Sequence, residues 1–109
     1  MYAERPEFVA ALEDFVRGRP PQPVDAFLHQ SEAVLAHDAE AQLGRIVAPT
    51  QITFGRWDRV ISTRFAPPLT EGIKGAELVV FEHLSHAGMH EDAEEFNRVT
   101  LEFLTSQKL

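Results

Sequence analysis

The 109-residue sequence contains no cysteine, which excludes disulfide bonds and thiolate metal ligands. It has no apolar run near the roughly 18 residues that a membrane-spanning helix needs, and its polar first residues do not fit a signal peptide. Basic residues are few, since 10 Lys and Arg stand against 17 Asp and Glu and the net charge is -7. Because nucleic-acid binding needs a basic surface, we do not expect a nucleic acid as a partner. Because no apolar run is long enough to span a bilayer, we do not expect a membrane as a partner either. We expect a soluble, cytoplasmic protein.

The composition is that of an ordinary globular chain, with 44% hydrophobic and 25% charged residues. Its length allows one small domain. Three helices are predicted in the first part of the chain. The first spans residues 6–17, where Pro6 suits a first-turn position and apolar residues recur at helical spacing. The second spans residues 24–37, and Asp38 is expected to cap a short third helix over residues 39–43.

Two short predicted strands each lead to a residue that can take part in proton transfer. The first strand, marked by Ile52 and Phe54, stops shortly before Asp58. The second strand spans residues 77–82 and is a largely apolar run, which is typical of a parallel strand covered on both faces. His86 follows it. Because parallel strands end at the same edge of a sheet, we expect Asp58 and His86 to meet there, where the aspartate can orient the imidazole and the imidazole can move a proton.

A helical segment is predicted between the strands and another after them. Residues 60–65 start a helix that the Pro67-Pro68 pair breaks or begins anew. Residues 92–104 form the final helix, and the acidic run at residues 91–95 is interpreted as its N-terminal end and solvated face. Strands that alternate with helices indicate a right-handed βαβ unit. Two parallel strands leave both sheet edges open, so we expect these edges to be covered or to pair with further chain.

From about Phe8 to Leu104 the chain resembles the C-terminal portion of an α/β-hydrolase fold enzyme, from the end of the cap region through the last two strands and the last helix. The matching residues are spread in order along the chain: Gln30, Ala33, His37-Asp38, Leu43, Ile46, Pro49-Thr50, Gly55-x-x-Asp58, Ile73, Gly75-Ala76-Glu77, His86, Glu91, Phe96 and Phe103-Leu104. The chain departs from the family at Ser85, where relatives often have glycine, and at Ala87-Gly88, where many relatives have a proline.

The resemblance implies an α/β fold: an incomplete α/β-hydrolase-like βαβα unit with a short parallel sheet over residues 48–109, preceded by a segment of two or three cap-like helices over residues 1–47. It also implies that Asp58 is the acid and His86 the general base of a Ser-Asp-His triad acting on a small ester, lactone or similar acyl substrate. The order of the two residues agrees with the nucleophile–acid–histidine order of that family.

The nucleophile elbow of that family, G-x-S-x-G, does not occur in the sequence. The chain has four serines, at positions 31, 62, 85 and 106, and none follows a predicted strand in the context of an elbow. Because triad members act as a unit, we do not expect the chain to catalyse by itself. A missing N-terminal hydrolase segment or another chain would supply the serine, so whether this chain is an enzyme stays open at this point.

Each candidate site residue also has a simpler interpretation. Asp58 can be a turn aspartate that binds local N–H groups, and His86 can be a loop histidine bonded to backbone. Ser85 adjoins His86, but a neighbouring residue in an extended loop points away from it. Together with His86, His83 and His90 offer imidazoles for a metal ion. Gly88 interrupts any helix through His86 and His90, so we expect no metal and no cofactor.

A second hypothesis is not catalytic. The chain then folds as a small stand-alone α/β module and hides its strand edges by self-association. The apolar run from Leu78 to Phe81 in so short a chain is the motivation. This hypothesis predicts a homo-oligomer, most simply a homodimer with strands or helices paired across a two-fold axis.

Overall fold

A computed structural model describes residues 4–107 of the chain. They form two compact units, and the boundary between the units lies between His37 and Asp38. The cap-like segment predicted from the sequence instead ends at residue 47, and the cap-like role of its helices stays a prediction.

The first unit contains two helices. Helix α1, Pro6–Arg17, starts with proline in its first turn, where a missing N–H costs nothing. It ends at Gly18, whose N–H donates to the carbonyl oxygen of Asp14 at 2.9 Å. Helix α2, Val24–Ala36, follows the proline-rich linker. The predicted bounds of α1 are confirmed, and α2 ends one residue earlier than predicted. Neither helix contains a buried residue.

The second unit is the βαβα arrangement. In chain order it comprises a 3₁₀-helix Glu40–Arg45, strand β1 Gln51–Gly55, a 3₁₀-helix Thr63–Phe65, helix α3 Ala66–Gly72, strand β2 Glu77–Phe81, helix α4 Gly88–Glu91 and helix α5 Ala93–Ser106. Strands β1 and β2 are parallel, with Gln51 opposite Glu77 and Gly55 opposite Phe81. The helix α3 between two parallel strands makes this a βαβ unit, as predicted.

The structure differs from the predicted helices at four further places, one of which is α5, observed over residues 93–106 rather than 92–104. The third helix is a 3₁₀-helix over residues 40–45 rather than 39–43. No helix starts at residue 60, because the Asp58 carboxylate accepts the N–H groups of Val60 and Ile61 and holds a turn there. The four-residue helix α4 was not predicted, since Gly88 at its start disfavours a helix.

Among the helices of residues 4–107, none is both long enough and apolar enough to cross a lipid bilayer.

The core of the second unit lies between the sheet and the segments that flank it. It contains Leu43, Ile52, Phe54, Ala66 and Ile73. Leu84, in the loop after β2, is completely buried.

Strand β2 is covered less well than its apolar sequence predicts. Phe81 is buried and packs against Phe96 of α5 with ring centroids 5.9 Å apart. Leu78, in contrast, is 40% exposed. In the part of the chain that the structure describes, the sheet has only these two strands, so each strand has one edge without a neighbouring strand.

Gly55 allows the loops after the two strands to approach each other. A Cβ atom at this position would lie 2.1 Å from the carbonyl oxygen of Ser85 and 2.7 Å from that of Leu84. Both atoms belong to backbone, which cannot rotate away as a flexible side chain can. Only glycine fits at the end of β1 while the loop before His86 keeps this path.

The substitution Gly55→Ala is predicted to destabilise the second unit by about 2 kcal/mol or more, since the two loops must separate to admit the methyl group. Urea unfolding followed by circular dichroism measures this loss. Gly44→Ala is the matched control, because a Cβ there meets nothing closer than 3.9 Å. Equal stability of the two variants would show that the close approach is not required.

Candidate active site

Asp58 lies in the tight turn that follows β1. The backbone N–H groups of Arg56 and Trp57 donate to the carbonyl oxygens of Phe81 and Leu84, at 2.9 and 3.0 Å. The indole Nε1–H of Trp57 donates to the carbonyl oxygen of Glu82 at 3.0 Å. These bonds join the loop after β1 to the loop after β2 beyond the end of the sheet.

Side chains reinforce this junction. The guanidinium group of Arg56 makes two hydrogen bonds to the carboxylate of Glu82, from Nε at 2.9 Å and from Nη2 at 2.5 Å. This planar, paired geometry is the favourable one for an arginine–carboxylate contact. Both side chains are substantially exposed, so the pair contributes to orientation more than to stability.

The carboxylate of Asp58 is bonded through both of its oxygens. Its Oδ1 accepts the N–H groups of Val60 and Ile61, each at 2.8 Å, and its Oδ2 lies 3.0 Å from Nδ1 of His86. The Asp58 side chain is only 8% exposed. Burial raises the pKa of Asp58, but the hydrogen bonds from His86, Ile61 and Val60 outweigh it, and the pKa of this carboxyl is lowered overall.

His86 lies in the loop between β2 and α4, and half of its side chain is exposed. The ring nitrogen Nδ1 faces Asp58. With the carboxylate ionised, Nδ1 carries the proton and donates it to Oδ2, which leaves Nε2 with a lone pair when the ring is neutral. This tautomer is assigned from the hydrogen-bond network. Within the described residues, Nε2 makes no hydrogen bond, so it can accept a proton from a group placed beside it.

A cavity of about 130 Å³ lies at this edge of the sheet. Its walls come from the ends of both strands, the loop after β2 and the start of α5: Thr53, Phe54, Gly55, Asp58, Phe81, Leu84, Ser85, His86, Gly88, Met89 and Phe96. It is smaller than the roughly 300–1,000 Å³ of a typical small-molecule pocket. The cavity that the described residues form is therefore small for a site that encloses a ligand.

The three histidines considered as metal ligands do not come together as a group. His83 instead faces two carboxylates of α5 and its cap, with Nε2 3.3 Å from Oδ2 of Asp92 and 3.2 Å from Oε2 of Glu95. These three side chains are the group of described residues that could hold a metal ion. The cluster was not predicted from the sequence. The spacing of three residues between Asp92 and Glu95 at the start of a helix is the sequence feature that could have indicated it.

Hydrogen bonding accounts for most of that cluster. Asp92 caps α5 by accepting the N–H of Glu95 at 3.0 Å, and its pKa is lowered by that bond and by His83. Glu95 Oε2 is buried and has no hydrogen-bond partner in the described structure, although it lies within ion-pair distance of His83. Nε2 of His83 carries at most one proton, so it can donate a hydrogen bond to only one of the two carboxylates. Its short distance to Glu95 is therefore not by itself a hydrogen bond.

Glu91, near His86, differs from its sequence interpretation. The hydroxyl of Ser85 donates to the carboxylate of Glu91, and the direction expected for Ser85 stays a prediction. Glu91 was interpreted as part of a solvated acidic face, but it is only 5% exposed. The prediction for Glu91 is wrong because α4 turns this side chain inward onto the N–H groups of the His86 loop.

Known proteins with similar sequences and structures are hydrolases. The AB hydrolase superfamily protein YisY of Bacillus subtilis (strain 168) is 35% identical over 79 residues, which is 72% of this chain and 30% of that protein. The esterase EaEST of Exiguobacterium antarcticum superposes with a TM-score of 0.69 at 27% identity, over 74% of this chain and 30% of the esterase. MGS-M2, an alpha/beta hydrolase enzyme from a deep-sea metagenome library, superposes over 99% of this chain and 40% of its own, with a TM-score of 0.81 at 23% identity. No protein-family model matches the chain.

This chain therefore has the fold of the C-terminal portion of an α/β hydrolase. The chain spans about a quarter to a third of the length of the curated relatives that it matches. The resemblance stated from its motifs is confirmed at the level of fold.

Acid unfolding tests the Asp58 hydrogen bonds. A carboxyl whose pKa is lower in the folded than in the unfolded state contributes stability above its ordinary pKa of about 3.9, and this contribution is lost as the pH falls through the folded-state value. We expect the free energy of unfolding of the wild-type chain to fall more steeply below about pH 4 than that of Asp58→Asn. Denaturant titrations at a series of pH values measure both slopes.

Asp38→Asn is the matched control, since Asp38 accepts a single exposed backbone N–H, from Glu40. It should keep the wild-type slope. If Asp58→Asn and the wild type lose stability in parallel, then Asp58 is not held ionised by these bonds.

Proposed function

We propose that Asp58 and His86 are the acid and the general base of a Ser-Asp-His triad that hydrolyses a small ester, lactone or related acyl substrate. The observation that carries the proposal is the 3.0 Å contact between His86 Nδ1 and the buried, multiply bonded carboxylate of Asp58, with Nε2 unbonded within the described residues. Structural turn and loop roles alone do not require the imidazole to pair with that carboxylate.

In this mechanism the aspartate holds the tautomer in which Nε2 is a base. Nε2 takes the proton of a serine hydroxyl as the serine attacks the acyl carbon, and it returns the proton to the leaving group, which departs as the acyl-serine forms. Water then attacks the acyl-serine, Nε2 takes a proton from the water and returns it to the serine oxygen, and the acid product is released. The Asp58 carboxylate stays ionised and stabilises the imidazolium that forms. The lowered pKa of Asp58 suits this role, because the group must remain negative while His86 is charged.

The serine and the oxyanion-binding N–H groups would come from sequence outside these 109 residues or from another chain. No G-x-S-x-G occurs in the sequence, and the small cavity is consistent with a site that a further segment completes. The esterase to which the chain is structurally similar supports an ester-type substrate class.

A fusion tests the catalytic roles. This chain replaces the structurally matching segment of the Exiguobacterium antarcticum esterase, and hydrolysis of 4-nitrophenyl acetate is measured by absorbance. We expect turnover that falls by about 10⁶-fold in His86→Ala and by about 10⁴-fold in Asp58→Asn, as for other triads. His90→Ala is the matched control, because His90 is also an exposed histidine beyond β2 and should leave turnover unchanged.

The 109-residue chain by itself is expected to show no hydrolysis above background in the same assay. Turnover of the fusion that survives His86→Ala would exclude His86 as the base. Turnover of the isolated chain that depends on His86 would mean that a nucleophile within the 109 residues serves the pair.

Self-association is a second candidate, supported by the surface of the second unit. Strands β1 and β2 each have an edge without a neighbour in the described part of the chain, and Leu78, Leu101 and Leu104 are 40–58% exposed. Open edges and exposed apolar side chains favour pairing with further chain. A second copy of this protein would cover them in a homodimer, with or without chemistry at Asp58 and His86.

Sedimentation velocity of the purified chain over a hundredfold concentration range tests this candidate. We expect a dimer that weakens by about tenfold or more in Leu78→Lys, because a charge must then be desolvated at the contact. Val47→Lys is the control, since Val47 is 95% exposed in the loop before β1. A monomer at all concentrations would exclude self-association.

A further inference from the structure

Glu91 is a buried carboxylate that holds the loop carrying His86. It is the last residue of α4 and is only 5% exposed. Its Oε2 accepts the backbone N–H of Ser85 at 2.5 Å. Its Oε1 accepts the hydroxyl of Ser85 and, at 3.4 Å, the backbone N–H of Ala87. The residues on both sides of His86 are therefore bonded to one side chain.

The cost of burying a carboxylate explains why these bonds matter. An ionised group removed from water is unfavourable unless hydrogen bonds replace its hydration. Backbone N–H groups that donate to a charged oxygen form bonds that are stronger than neutral ones. Glu91 and the loop thus depend on each other: the carboxylate is stable inside the protein because the loop supplies donors, and the loop is fixed because the carboxylate gathers them.

The bonds to Ser85 and Ala87 restrict the backbone of the residue between them. That restriction sets the direction in which the His86 side chain leaves the chain. Gly55 limits the same loop from the other side, through its close approach to the carbonyl oxygens of Leu84 and Ser85. The backbone on both sides of His86 is therefore held by contacts that do not involve the imidazole, in addition to the ring's own hydrogen bond to Asp58.

We propose that Glu91 is a positioning residue for His86: it fixes the loop at Ser85 and Ala87 so that Nδ1 meets Asp58 and Nε2 is left as the base. The proposal rests on the role given to His86 above, since positioning has a purpose only for a group that moves a proton. In this mechanism Glu91 acts through its bonds to Ser85 and Ala87 and takes no part in the proton transfer.

Nuclear magnetic resonance of the 109-residue chain, with ¹⁵N-labelled histidine, tests the proposal directly. Long-range ¹H–¹⁵N spectra report which ring nitrogen carries the proton when His86 is neutral. The wild-type chain should show the proton on Nδ1. In Glu91→Leu the ratio of the Nδ1–H to the Nε2–H form should fall by about tenfold or more, as the loss of one charge-assisted hydrogen bond implies. Asp58→Asn provides the reference spectrum for a ring without its acceptor.

Two further variants separate positioning from general stability. Glu91→Gln keeps one acceptor oxygen and the same shape, so it should fold and show an intermediate tautomer ratio even if Glu91→Leu does not fold. Leu43→Ala removes core packing in the same unit without touching the loop, and it should lower stability while keeping the wild-type ratio. A wild-type ratio in Glu91→Gln together with Glu91→Leu, or a changed ratio in Leu43→Ala, would overturn the proposal.

The spectra and the esterase fusion fail independently. If His86 is not a catalytic base, the fusion keeps its turnover in His86→Ala while the tautomer still depends on Glu91. If Glu91 does not position the ring, the tautomer is unchanged in the Glu91 variants while turnover still requires His86.

Discussion

The structure of the second unit depends on the close contact between the two loops that follow the parallel strands. Gly55 makes this contact possible because it has no side chain at the point where the carbonyl oxygens of Leu84 and Ser85 pass. The N–H groups of Arg56 and Trp57 then continue the pairing of the strands into the loops. Asp58 and His86 are far apart in sequence, and this junction is what brings them within hydrogen-bond distance.

The charges at this edge are arranged around one imidazole. Asp58 is shielded from water, and three hydrogen bonds to its carboxylate keep its pKa low despite burial. Glu91 is buried nearby and accepts the backbone N–H groups of Ser85 and Ala87 and the hydroxyl of Ser85. Two carboxylates in one small region therefore have different tasks, because one faces the imidazole and the other faces the peptide groups beside it. His83 has acidic neighbours of its own in Asp92 and Glu95, which form a separate cluster at the start of α5.

The two-stranded sheet of the described residues leaves apolar surface of the unit exposed. A βαβα arrangement of two strands has a sheet too narrow to cover its own helices, so leucines at positions 78, 101 and 104 remain exposed. The same narrowness leaves the cavity beside His86 small and open to further chain. Relatives that are hydrolases are about three times longer than the matched segment, and their additional length is where a wider sheet and a nucleophile can be built.

Local sequence determined much of this architecture. Proline at position 6 marks the start of α1 and glycine at position 18 marks its end. The apolar residues of β1 and β2 likewise indicate the two strands. These signals can be recognised in the sequence because they act over a few neighbouring residues. The placement of Asp58 and His86 beyond parallel strands also followed from the sequence, since such strands end at one edge. Only the tertiary structure decided the rest. In the sequence Glu91 resembles a solvated acidic residue, but α4 turns it onto the His86 loop. Residues 60 and 61 resemble the start of a helix, but their N–H groups donate to Asp58. Both outcomes depend on hydrogen bonds whose partners are chosen by the folded chain, and such partners leave no periodic pattern in the sequence.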